Sequence, residues 1–137
     1  MSLRLPSVTA LIAAAFLQPA CATSPMTSQC TISGPAAALP GMSEAAICDR
    51  FEADLARALG DRPVPEGLTI ALTLHKRGAI DAELSLPGAR WPRVSVDALD
   101  RGLRAEDVSR LARAAAQMLV QQESTRISRD TAQHNGE

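Results

Sequence analysis

Apolar residues recur three and four apart from Ile47 through Phe51, Leu55, Ala58 and Leu59, which lays them along one stripe of a helix. The spacing predicts a helix over residues 44–59. Ser43 stands at its N-cap, Glu44 in the first turn where the helix dipole favours a carboxylate, and Gly60 where a left-handed residue closes the C-terminus. Pro63 and Pro65 prevent the helix from continuing.

The period then falls to two. Leu68, Ile70, Leu72 and Leu74 alternate with Thr69, Ala71 and Thr73, and Ile80, Ala82, Leu84 and Leu86 alternate with Asp81, Glu83 and Ser85. Both runs read as half-buried strands, and His75-Lys76-Arg77-Gly78 between them has the length and the glycine of a hairpin connection. Pro87-Gly88 signals a second turn. A third strand is expected over 93–97, with Val94 and Val96 inward and Trp91-Pro92 at its start, where a proline is tolerated.

The helical period returns over 103–121, where Val108, Leu111, Ala112, Ala115, Met118 and Leu119 share one face, Glu106 and Asp107 occupy the first turn, and Arg110 and Arg113 lie on the solvated side. Residues 123–137 lose the apolar pattern and are expected to be a disordered polar tail. Residues 23–42, rich in Ser, Thr, Pro, Gly and Ala, read as an irregular N-terminal arm. Residues 43–122 are therefore expected to form a single α+β domain. Its architecture is a two-layer sandwich in the order helix, three-stranded antiparallel meander, helix, with both helices on the one apolar sheet face. The other face would present Thr69, Thr73, Asp81, Glu83, Ser85, Arg93 and Ser95.

One apolar run fits neither period. Val8 to Leu17 is uncharged, follows Arg4 and ends at Gln18-Pro19. Its length of about ten residues is that of a signal-peptide core, and a membrane span needs roughly 20. Residues 1–22 are thus expected to be a cleaved export signal. Two processing routes compete at its end. Ala20-Cys21-Ala22 places small residues where a signal peptidase reads them, with the cut before Thr23; alternatively Cys21 is the acylated first residue of a lipoprotein. Gln18 and Pro19 stand where a lipoprotein box usually has a branched apolar and a small residue, which favours the first route. Either route leaves Cys30 and Cys48 as the remaining thiols, an even pair in an oxidising compartment and hence an expected disulfide.

Charge narrows the partners. The chain carries 14 basic and 15 acidic residues, with a net charge of −1. The helix–strand–strand–strand–helix order is shared by double-stranded RNA-binding domains, but the balanced charge and the lack of a basic cluster at the start of the last helix argue against nucleic acid. Membrane attachment is expected only through an acylated Cys21.

Little chemistry is signalled. The two histidines, His75 and His134, have no metal-type spacing to other ligands, and neither a metal nor a cofactor is expected. His75 could meet Asp81 or Glu83 across the hairpin, as a surface pair or as part of a hydrolytic or ligand-binding site. Trp91, between Arg90 and Arg93, has the character of an interface anchor or of a plug at the end of a small core. The expectation is a small exported envelope protein, a noncatalytic interaction or accessory domain that binds another envelope protein through its polar sheet face or its Val94-containing edge strand. The alternative is a small periplasmic hydrolase or ligand-binding protein using the polar sheet face.

Overall fold

The two alternating runs form the centre of the sheet. In the computed structural model, which describes residues 28–134, β2 (Thr69–His75) pairs antiparallel with β3 (Ala79–Leu86), with Leu72 opposite Ala82 and Thr73 opposite Asp81. Lys76, Arg77 and Gly78 connect them, and Gly78 takes the positive φ of 81° that the turn demands. The expected export signal, residues 1–22, with Cys21, lies outside the described residues.

Strand β1 (Gln29–Ser33) extends the sheet beyond β2 in parallel, placing Cys30 opposite Ile70 and Ile32 opposite Leu72. This corrects the reading of 23–42 as wholly irregular. Its pairing partner is some forty residues away, and return to the same sheet through a 3-10 turn (Ala36–Ala38) and a helix is non-local, so no short-range turn signal announces it. Gly34 ends β1 with a φ of 104°, and a Cβ there would collide with the Leu74 carbonyl, so the chain leaves the sheet where only glycine fits.

On the other edge, β4 (Ala89–Arg90) and β5 (Val94–Asp97) both pair antiparallel with β3. The Trp91 amide donates to the Leu84 carbonyl, whereas Val94 stands opposite Ala82. Pro92 and Arg93 therefore face the single residue Glu83, which is a β-bulge. The expected third strand is thus one edge broken by an extra residue, and the sheet is mixed and five-stranded where a three-stranded meander was expected.

Helix α1 (Glu44–Leu59) has the predicted bounds: Ser43 accepts the Ala46 amide in its side chain and Gly60 follows with a positive φ. Helix α2 runs from Ala105 to His134. This corrects the expectation of disorder after 122. No glycine or proline interrupts 103–134, and helix propensity carries the chain on after the apolar stripe ends. Both helices lie on the face formed by Ile70, Leu72, Ile80 and Leu84, closing one core with Phe51, Leu55, Val108 and Leu111. The result is a two-layer α+β sandwich. Asp54 in the second half of α1 meets Ser109 near the start of α2, and Arg62 just past the end of α1 meets Glu123 further along α2, so the two helices run in the same direction. The Cys30–Cys48 disulfide ties the core side of β1 to α1.

Candidate functional site

The open sheet face brings together four of the residues singled out in the sequence. Asp81, at the centre of β3, is flanked by Thr73 on β2 and Ser95 on β5. His75 Nε2 lies 2.8 Å from Asp81 Oδ2, and Arg93 donates from Nε to Glu83 Oε1 at 2.8 Å while its Nη1 stands 3.8 Å from Asp81. The bulge makes this possible, because it turns Arg93 to the open side directly across from Glu83.

Asp81 is mostly covered, with 13% of its side chain exposed. Burial pushes its carboxyl up, but hydrogen bonds from Ser95 and His75 and the charges of His75 and Arg93 outweigh that and hold it below the ordinary value of 3.8. With Asp81 ionised, the shared hydrogen belongs to His75 Nε2. This is the orienting half of an acid–base pair, and a hydrolytic site would need a nucleophile on the other ring nitrogen. Ser33 and Thr73 are close by, but their hydroxyls bond to each other at 3.3 Å. No group of three or more metal-ligating side chains occurs among the described residues.

Trp91 and Arg90 do not join this cluster. Trp91 points to the helical side, half-buried against the core, and Arg90 is exposed opposite Ser85. Trp91 contributes to a groove of about 470 Å³ whose apolar wall is Leu59, Pro65, Leu86, Leu119 and Ile127. Ile127, with 63% of its surface exposed, belongs to the part of α2 that continues beyond the sandwich. The rim is polar: Arg62 pairs with Glu123 at 3.1 Å, while Arg126 has no carboxylate partner among the described residues.

Two further features were not recognised in the sequence. The outer groove between the helices is lined by Arg50, Arg57, Arg110 and Arg113 with Asp54 and Ser109. The spacings 50, 54, 57 and 106, 109, 110, 113 do carry these stripes, but a charged stripe also marks any solvated helix face. The second is Asp107, fully buried at the start of α2. It accepts two hydrogen bonds from Arg101 and one from the Arg104 amide, each at 2.8 Å. The Arg101 bond, followed by that of Arg104, keeps the Asp107 carboxyl below its ordinary value against the opposing effect of burial. Its contact with the Arg104 amide is the side-chain-to-backbone half of a capping box.

Comparison of the chain with family models, with curated proteins and with solved structures finds no match.

Proposed function

We propose that this chain is a small exported protein of the bacterial envelope, a noncatalytic domain that binds another envelope protein. The observation that carries the reading is the Trp91 groove beside the projecting end of α2. A helix continued for several turns without neighbours of its own gains little from its own chain, since most helical stability comes from packing of an apolar face. Here such a helix borders an apolar groove with a polar rim, the anatomy of a protein-binding surface. Arg126 at that rim, without a carboxylate partner among the described residues, favours a partner segment with an apolar anchor and a carboxylate. Export is supported by the leader-like residues 1–22 and by a disulfide, a bond that persists in oxidising compartments.

The test places a photo-crosslinking residue at position 127 or at position 95 in intact cells. A defined adduct from 127 that disappears with Trp91→Ala supports the reading. Recovery of monomer alone from both positions, at native abundance, overturns it. Intact mass from soluble and membrane fractions separates a soluble protein beginning at Thr23 from one acylated at Cys21.

The His75–Asp81 hydrogen bond favours a second reading, a small periplasmic hydrolase or ligand-binding protein working from the open sheet face through His75, Asp81 and Glu83. An Asp81→Ala, Glu83→Ala variant that folds normally and leaves the cellular phenotype unchanged eliminates it.

A further inference from the structure

We infer that the groove between the outer faces of α1 and α2 is a binding site for a phosphate-bearing anion. Four arginines line this space of about 600 Å³, Arg50 and Arg57 from α1 and Arg110 and Arg113 from α2, against the carboxylates of Asp54 and Glu106. The excess of two positive charges matches a phosphoryl dianion.

The arrangement within the groove is ordered from below. Asp54 is deep, with 14% of its side chain exposed, and both of its oxygens are engaged: Arg57 donates to Oδ1 at 2.7 Å and Ser109 to Oδ2 at 2.6 Å. Ser109 in turn accepts from Arg50 Nε at 3.0 Å. Asp54 thus holds the two α1 guanidinium groups in place from beneath while contributing no free acceptor to the opening. Pre-ordered donors lose less freedom when a ligand arrives. On the facing wall Arg113 donates from Nε to the Ser109 carbonyl at 3.4 Å, and Arg110 lies 3.8 Å from Asp107, which Arg101 already pairs with in two-pronged fashion. These two guanidinium groups retain donors for an incoming anion. Ala58, small and exposed, leaves room between the walls.

The geometry favours phosphate over carboxylate. A planar carboxylate faces one guanidinium fork, whereas the tetrahedral oxygens of a phosphoryl group can take forks from two opposed walls at once. A free phosphoester and an anionic lipid headgroup offer the same chemistry.

The experiment follows amide shifts of the purified protein in titrations with inorganic phosphate, alongside co-sedimentation with phosphatidylglycerol or phosphatidylcholine vesicles. Saturable shifts confined to the groove are expected, with at least tenfold weaker binding in Arg110→Gln/Arg113→Gln and in Ala58→Met, which fills the opening without changing charge. Arg77→Gln/Arg129→Gln, with the same charge loss on other surfaces, should bind like the parent. Sedimentation with phosphatidylglycerol alone, reversed by phosphate, identifies a headgroup as the source; phosphate binding without sedimentation identifies a free phosphoester. The inference is overturned if no shift saturates, if Ala58→Met binds like the parent, or if the remote double variant loses as much affinity as the groove variant.

Discussion

Arg101 and Asp107 meet as a two-pronged ion pair, Nη1 to Oδ2 and Nη2 to Oδ1, each at 2.8 Å, at the point where the sheet hands the chain to α2. The carboxylate is wholly buried while the guanidinium reaches solvent. A charge so placed is tolerated because its lone pairs are occupied. Asp107→Asn, which keeps the shape but removes the charge and replaces one accepting oxygen by an NH2 group that faces an N–H donor, is expected to lower stability by about 1–3 kcal/mol. Arg101→Met should be more damaging, because it leaves a buried anion without its counter-ion. Urea unfolding midpoints of the variants check both.

Acid should unfold the protein partly through Asp81 and Asp107, whose carboxyls are held below the ordinary value in the folded state. In that case the unfolded chain binds more protons, so stability is fully present above the unfolded pKa of about 3.9 and is lost as pH falls through it toward the folded values. Urea midpoints between pH 6 and pH 2 should fall most steeply below about pH 4, and Asp107→Asn should flatten that fall.

The Cys30–Cys48 bond joins residues 18 apart in sequence and fastens an edge strand that has no fully buried residue. Reduction, or Cys48→Ser, should lower stability by about 3 kcal/mol through the freedom regained by the unfolded chain. The first amides to lose hydrogen-exchange protection should be those of β1, released from β2.

The two ends of the Trp91 groove should respond differently to substitution. Trp91→Ala removes a half-buried side chain packed on the core and is expected to cost about 2 kcal/mol, below the range for a fully buried tryptophan. Ile127→Lys lies on the exposed stretch of α2 and should shift stability by no more than about 0.5 kcal/mol. Thermal unfolding of the two variants separates a residue that serves the core from one that serves a partner.

The last turns of α2 should be the least protected helical segment. Ser124, Thr125, Ser128 and Thr131 each donate a side-chain hydrogen bond to the carbonyl four residues back, a habit that neither anchors a helix nor packs it. Hydrogen exchange should show amides beyond about residue 124 opening far more readily than those near Leu111.

Where a local signal exists, the elements were legible in the sequence. Ser43 and Gly60 bracket α1, and the alternation from Leu68 to Leu86 defines the hairpin, because capping and side-chain period act over a few residues. Strand β1 was not legible: in Gln29–Ser33 the inward residues Cys30 and Ile32 are only half covered, and the partner strand is remote. The expected Cys30–Cys48 pairing appeared without any knowledge of that strand. The helix beyond residue 122 is hidden for the opposite reason: the apolar stripe ends there, but no helix breaker intervenes. Of the candidate site, the contact of His75 with Asp81 was visible from hairpin spacing. That Arg93 shares the open face with Glu83 follows from its alternation with Val94 and Val96; the bulge that separates it from Trp91 was not visible, because it depends on a single extra residue in an edge strand.

That extra residue has an optical consequence. Pro92 sits between the chain's one tryptophan, facing the helices, and an arginine that faces the opposite surface of the sheet. The indole therefore stands at the joint between the two layers, and the emission of an unlabelled sample reports on that joint alone. A change on either side of the sheet that moves the bulge is readable in one fluorescence band, with no dye attached and no competing signal to subtract.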